Sequence, residues 1–418
     1  MTRRSKCRSC NGVLSTVFSL GEQYISSFVD NNSQDAPKAP LELGLCDTAS
    51  GGCGLLQLRH TVPADLMFRR YWYRSGVNAS MTRALRDIAQ AAKRVVRLRK
   101  GDVVVDIGCN DGTLLRSYDA EEVVLVGFEP ATNLVPLAEV GTTNIINDYF
   151  TRKNYDRCLP ERKAKVITSI AMFYDLEAPN VFVDDVAACL DRDGVWIIQM
   201  SYLPSMLNQN AFDNICHEHL EYYSMGSLKH LLARHGLRIF DAELNDVNGG
   251  SFRVYVKHDA CKSLGDDQAS LARLKEIDRL EAAMHLADRQ AYDDFASRVH
   301  SLRDKLCQFI SDERKKGKRI YAYGASTKGN TLLQFCNLDH SLIECAAERN
   351  PDKWGKKTVG TLIPIISEED ARVKHPEYFL VLPWHFIDEF VRREEAYLKS
   401  GGKFIVPLPD FRLIQQAQ

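Results

Sequence analysis

Short apolar runs closed by turns set the rhythm of the middle of the chain. Residues 103–107, 123–128, 166–169 and 195–199 have the length and β-branched content of buried strands. Leu114 and Leu115 are expected to open a helix after the first run, and residues 180–190 to form one between the third and fourth. Such alternation predicts an α/β domain with a mostly parallel sheet covered on both faces. An amphipathic helix begins near Ser80, after the aromatic segment Tyr71-Trp72-Tyr73-Arg74-Ser75, and Ser251–His258 reads as a further strand. From 264 to 316 the period changes: Tyr292, Phe295, Val299, Leu302, Leu306 and Ile310 recur at helical spacing. That tract is expected to bridge two domains. A second strand–glycine–helix unit follows over 319–330, with strands at 342–346, 378–382 and Lys403–Val406.

At 418 residues the chain exceeds one ordinary core. The pattern divides it into 1–60, 61–260, a helical bridge over 261–316, and a smaller α/β domain over 317–418. With 45% apolar and 26% charged residues, the composition is that of a globular enzyme. A net charge of −1 gives no global field toward nucleic acid, and the basic runs at 1–8, 94–100 and 314–319 read as solvated faces. No apolar run approaches the ~20 residues of a membrane span. The first residues lack the apolar core of a signal peptide, so a cytoplasmic location with reduced cysteines is expected.

Twelve cysteines are then ligands, core residues or chemistry. Cys7 and Cys10 form a two-residue-spaced pair, and Cys46 and Cys53 a wider one whose Thr-Ala-Ser-Gly insertion can bulge. Two such pairs fit a closed structural zinc site, against the alternative of four buried free thiols.

Asp106-x-Gly108-x-x-x-Gly112 follows a strand, and Glu129 closes the next one. A turn without Cβ at Gly108 lets a ligand approach the backbone, and a carboxylate at that spacing suits the hydroxyls of a ribose. The second and third glycines of the dinucleotide fingerprint are missing, which favours an adenosyl cofactor without phosphates, S-adenosylmethionine.

Cys216-His217-Glu218-His219-Leu220-Glu221-Tyr222-Tyr223-Ser224 concentrates imidazoles, carboxylates, phenols and a thiol. On a helix His217 and His219 diverge; on a strand they share a face. The segment is therefore a proton-transfer site, a metal site or a structural turn, with clustering favouring the first. Gly324, Lys328 and Gly329 are placed to hold phosphate, and Glu348 to meet a second ribose, unless that domain is purely structural.

Taken in order, several segments carry a family pattern. They are the four cysteines, Tyr-x-Tyr-x-Ser, Asp-Ile-Gly-x-Asn-Asp-Gly-Thr-Leu-Leu, His-Glu-His-Leu, Gly-Gly-Ser-x-Arg-Val-Tyr, Ala-Tyr-Gly-Ala-x-x-Lys-Gly-Asn-Thr-Leu-Leu, Asn-Pro-x-Lys and Leu-Pro-Trp. Together they resemble the S-adenosylmethionine-dependent nucleotide-sugar C-methyltransferases of deoxysugar pathways. The resemblance implies a zinc-bearing N-terminal domain, a central class I Rossmann-like methyltransferase domain and a C-terminal Rossmann-like domain. It also implies a nucleoside-diphosphate 4-keto-6-deoxy sugar, deprotonated at C3 and methylated as its enolate.

By the same resemblance Asp106, Gly108, Asn110, Gly112 and Glu129 bind the cofactor. His219 is the expected base, Glu218 its orienting partner, and Tyr73 and Asn248 donors to the sugar. Tyr222, Ser251, Arg253, Lys328 and Asn330 are expected around the substrate, and Cys7, Cys10, Cys46 and Cys53 on zinc. The chain departs from the family at Cys216, where a tyrosine is usual, at Met172-Phe173-Tyr174, where Phe-Ala-His is usual, and at Asn248, where many members have histidine. The first two departures point to another sugar, another ring position, or transfer to oxygen or nitrogen. A non-catalytic zinc and nucleotide-binding protein is the reading of a different class. A metal hydrolase using His217 and His219 is a third.

Overall fold

The computed structural model describes residues 1–25, 28–29, 36–142 and 144–416. The N-terminal part is an antiparallel sheet of β1 (Leu14–Tyr24), β2 (Lys38–Cys46) and β3 (Leu56–Leu58). Helix α1 (Ala79–Val95) follows, its first turn held by the Asn78 side chain, which accepts from the amides of Ser80 and Met81. Met81, Leu85, Ile88 and Ala92 form its buried face.

The central sheet takes strands β4 (Val103–Ile107), β5 (Val124–Phe128), β6 (Asn144–Ile146), β7 (Ala164–Ile170) and β8 (Leu190–Ser201), with α2 (Pro179–Cys189) between the last two. After a short strand β9 (Glu221–Tyr222), β10 (Leu237–Asn245) and β11 (Ser251–His258) complete it. Its order is β10-β11-β8-β7-β4-β5-β6, seven strands with β11 antiparallel to both its neighbours. This is the class I methyltransferase arrangement expected from the family pattern. All five residues of β4 are buried, as a strand covered on both faces requires. The helix expected at Leu114 is only a single 3-10 turn, Leu115–Ser117. The chain is extended again at Tyr118, whose ring enters the core beside α1.

The tract over 264–316 is two helices, α3 (Gln268–Ala283) and α4 (Arg289–Lys315), broken where His285 adopts φ +50°. Helix α3 lies on the central sheet, with Ile277 in its core. The predicted stripe of α4 is buried, but it packs on the N-terminal sheet and the C-terminal domain: Phe295 meets Phe18 with centroids 5.7 Å apart. The N-terminal sheet and the C-terminal domain thus share one core.

The C-terminal domain begins with β12 (Ile320–Tyr323) and α5 (Thr327–Phe335). Strands β13 (Ala346–Glu348), β14 (Ile365–Ser367), β15 (Tyr378–Val381), β16 (Lys403–Val406) and β17 (Arg412–Ile414) complete a six-stranded sheet, ordered β14-β13-β12-β15-β16-β17. The strand expected from residue 342 starts only at Ala346. In both sheets the order reverses beside the first strand, β4 or β12, which is where open α/β sheets bind ligands at their carboxyl ends. One basic run is a solvated face only in part: Arg3 and Lys6 are exposed, but Arg8 is buried, donating to Gln57, the Leu58 carbonyl and Thr61, and paired with Glu177. Among the described residues no helix is long and apolar enough to cross a membrane.

Candidate active site

The four N-terminal cysteines converge. Cys7 Sγ lies 3.6 Å from Cys53 Sγ, Cys10 Sγ 3.3 Å from Cys46 Sγ, and all four sulfurs fall within 4.8 Å of one another. Zn–S bonds of about 2.3 Å place tetrahedral sulfurs about 3.8 Å apart, so the set fits zinc with little adjustment. N–H groups stand ready for thiolates: Gln57 Nε2 on Cys7 at 3.1 Å and the Cys53 amide on Cys46 at 3.3 Å. The long spacer bulges, its amide at Gly52 returning to the Asp47 carbonyl at 2.8 Å. A Cβ at Gly52 would stand 2.6 Å from Cys46 Sγ. Zinc in this closed set is structural, and its reach is indirect: β9 adds to the sheet behind it, Glu221 opposite Gln57 and Tyr222 opposite Leu56. Only Leu220 separates Glu218 and His219 from β9, so the strand fixes the end of their segment.

A cavity of about 610 Å³ opens where the central and C-terminal sheets face each other. At one end lies the turn after β4. Gly108 has φ +71° and Asn110 φ +53°, and both line the cavity with Asp106 and Glu129. Glu129 is 5% exposed; its two carboxylate oxygens accept from the amides of Asn110 and Ala131, each at 2.8 Å. Burial raises its pKa to about 7, and likewise that of Asp106, which accepts from Thr168 Oγ1 at 2.6 Å. A fixed carboxylate at the end of β5 is thus placed to meet the two hydroxyls of a ribose, which fits the adenosyl cofactor. Gly112, also at positive φ, lies behind the turn, where a Cβ would meet the Ala138 carbonyl at 2.9 Å.

At the other end the turn after β12 repeats this plan. Glu348 accepts from the amides of Ala325 and Asn350, each at 2.8 Å. Helix α5 starts at this turn, capped by Ser326, whose hydroxyl accepts from the Gly329 amide at 3.0 Å, and Lys328 from its first turn lines the cavity. Tyr73 lines the cavity between the two turns. Asn110 donates to the Tyr73 carbonyl at 3.0 Å, Asn350 donates to the Trp72 carbonyl at 3.0 Å, and Arg74 pairs with Asp352. Segment 72–74 therefore fastens one turn to the other.

The His-Glu-His segment is neither helix nor strand. His217 points away, its Nε2 2.9 Å from the Ala39 carbonyl, and serves the N-terminal sheet. Glu218 and His219 face the cavity. His219 Nδ1 lies 2.8 Å from the Asn214 carbonyl, which only accepts, so Nδ1 carries the proton and Nε2 keeps its lone pair. The orienting group is thus Asn214, not Glu218, which instead accepts from Thr327 Oγ1 at 3.4 Å. Burial and the nearby Lys328 ammonium hold His219 down at about 3, while burial lifts Glu218 to about 7. Cys216, Glu218 and His219 could chelate, their ligand atoms lying within 4.8 Å of one another. Lys328 already supplies the positive charge this cluster faces, and burial pushes the Cys216 thiol up.

Asn248, at φ +54°, and Ser251 also line the cavity, whereas three expected substrate residues do not. Tyr222 sits behind His219, its hydroxyl 3.4 Å from the Asn214 carbonyl. Arg253 is buried against Gln199 at 2.8 Å and Asp87 at 2.9 Å. Asn330 is buried in α5 and donates to the Val359 carbonyl at 3.4 Å. Sequence reasoning missed Asp213 and Asp175, both in the cavity wall, because a lone aspartate in a short 3-10 turn carries no spacing signal. Tyr174 replaces no distant group: its ring lies edge-on to His219, centroids 4.4 Å apart.

Known proteins place this geometry. Residues 246–409 match a C-methyltransferase C-terminal domain, 74–242 a methyltransferase domain and 7–68 a zinc binding domain. The C-methyltransferase NovU of Streptomyces niveus is 32% identical over 376 residues, 90% of this chain and 87% of that protein. Solved structures similar in part include magnesium protoporphyrin IX methyltransferase of Synechocystis PCC 6803, 12% identical, covering 42% of this chain and 78% of its own, TM-score 0.32. Another is the CcbJ methyltransferase of Streptomyces caelestis, 10% identical, covering 42% and 89%, TM-score 0.33. With three domain matches in succession and a relative 32% identical over 90% of this chain, the chain belongs to the S-adenosylmethionine-dependent C-methyltransferases that carry an N-terminal zinc-binding domain.

Proposed function

We propose that the protein methylates a carbon next to the ketone of a nucleoside-diphosphate 4-keto-6-deoxy sugar. The observation that carries this is that one cavity is lined by two ribose-type carboxylates, Glu129 and Glu348, together with Glu218 and His219. The Glu129 turn takes the adenosyl group, and its bound sulfonium supplies an electrophilic methyl. The Glu348 turn, with the α5 N-terminus and the cavity-lining Arg349 and Lys353, takes the nucleoside diphosphate.

Carbon attack requires removal of a C–H proton that the ketone has acidified. A base near pKa 7 suits this at neutral pH, so Glu218 takes the role that sequence reasoning gave to His219. His219, neutral and fixed by Asn214, accepts a sugar hydroxyl proton at Nε2. Tyr73 and Asn248 donate to sugar oxygens, and Ser251 adds a further polar contact. Loss of the proton to Glu218 leaves an enolate, stabilised opposite Lys328.

The test is incubation with S-adenosylmethionine and a panel of such keto sugars, followed by mass spectrometry and NMR. The expected product gains one methyl, roughly 14 mass units by composition, bonded to carbon beside the ketone. A protein that binds the cofactor and methylates none of these sugars would refute the substrate class.

A further inference from the structure

Asp213 lies in the 3-10 turn Phe212–Asn214, adjoining the carbonyl that fixes His219. It is 2% exposed and lines the cavity with Glu218 and Lys328. Its Oδ2 accepts from the indole N–H of Trp384 at 3.0 Å, an anchor that aims the carboxylate from the C-terminal domain side. Its Oδ1 has no hydrogen-bond partner among the described residues. A buried acceptor left unpaired is costly, the more so when charged, so a group that donates belongs there when the site is filled.

The character of that donor follows from the charges nearby. Lys328 forms no ion pair among the described residues, and its ammonium acts on Asp213 from beyond contact distance. The carboxylate therefore already has a cation in range. A second cation is not needed, and a neutral O–H meets the vacant lone pair without adding charge. Asp213, Glu218 and Lys328 line the same cavity, and the Lys328 ammonium acts on both carboxyls, which puts this O–H on the same sugar ring as the reacting carbon.

Building on the keto-sugar reading above, we infer that Asp213 is a specificity-determining residue that accepts a hydrogen bond from a sugar hydroxyl close to the methylated carbon. The site consequently selects substrates that keep that hydroxyl and rejects those deoxygenated there. A hydrogen bond to a charged group is worth about 1.5–3 kcal/mol, and every 1.4 kcal/mol is tenfold in affinity. Discrimination of roughly 10–100-fold follows.

Calorimetric titration tests this on the full protein saturated with S-adenosylhomocysteine. The probes are dTDP-4-keto-6-deoxyglucose and its 2-deoxy and 3-deoxy counterparts. Wild type is expected to bind one deoxy sugar about 10–100-fold more weakly than the parent. Asp213→Ala should bind that pair within about threefold of each other, with cofactor affinity unchanged as the check on folding. Asp213→Asn, which can keep an oxygen on Trp384, serves if the alanine variant does not fold, and should also narrow the gap. Discrimination that persists in either folded variant overturns the assignment. So does a wild type that binds all three sugars alike. Binding that discriminates through Asp213 without methyl transfer would instead reject the proposed reaction and leave the hydroxyl subsite standing.

Discussion

The turns after β4 and β12 share one plan, a glycine turn and a glutamate that closes the next strand and accepts two backbone amides. They differ in charge. The first leads into a single 3-10 turn and gathers Asp106 and Glu129, both lifted to about 7 by burial. The second opens the nine-residue helix α5, whose first turn carries Lys328, and it holds Lys353 with Nζ 3.5 Å from Glu348. A helix N-terminus and ammonium groups favour anions. An acidic turn with no helix behind it favours a neutral adenosine bearing a sulfonium. On the proposed reading the same backbone device serves two ligands of opposite charge, with the proposed proton-transfer residues at the seam.

The largest expected effect comes from that seam. Glu218→Gln should lower kcat by about 10²–10⁴-fold with cofactor affinity unchanged, read by product formation and titration. Next, Glu129→Ala should weaken S-adenosylmethionine binding by roughly 100-fold, through two hydrogen bonds to a charged group, and leave nucleoside-diphosphate binding intact. Glu348→Ala should do the reverse. Equal losses of both ligands in either variant would dissolve the distinction between the turns.

pH sharpens it further. With Glu218 as base, kcat/KM should rise about tenfold per pH unit up to about 7 and then level, since only the ionised carboxylate accepts a proton. His219, held at about 3, would instead give a profile flat from pH 5 to 8. The same carboxyls act on stability. Folded-state values near 7 for Asp106, Glu129 and Glu218 lie above ordinary carboxyl values, so between them the folded chain binds more protons than the unfolded one. Their contribution to stability is full below the ordinary values and is lost as pH rises through about 7. The ligand-free Tm should therefore fall over that window. The smallest effect is expected at Cys216, which lies outside the cavity wall: Cys216→Ser should change kcat by less than about threefold.

Much of this was legible in the chain. The four cysteines, β4 with its glycine turn, and Ser251–His258 announce themselves through spacing and apolar runs. Strand β6 has three residues and β10 alternates weakly, so neither rises above its surroundings. The division of labour within the His-Glu-His segment was hidden for another reason. Its two imidazoles are chemically alike, and only the carbonyls of Ala39 and Asn214, distant and near in sequence, separate them. Arg253 illustrates the converse. It lies two residues beyond Ser251, on the same strand face, but deeper, where Gln199 and Asp87 take its guanidinium. A family pattern marks such a residue without saying whether it holds the ligand or the fold.

The central claim is that Glu218 deprotonates carbon in this cavity. It is tested most directly by holding the protein with S-adenosylhomocysteine and dTDP-4-keto-6-deoxyglucose in D₂O and following the ring protons by NMR. Wild type should exchange the proton beside the ketone for deuterium without any methyl transfer, and Glu218→Gln should not. Exchange at the wild-type rate in Glu218→Gln, with exchange lost in His219→Gln, would contradict the account and return the base to the imidazole.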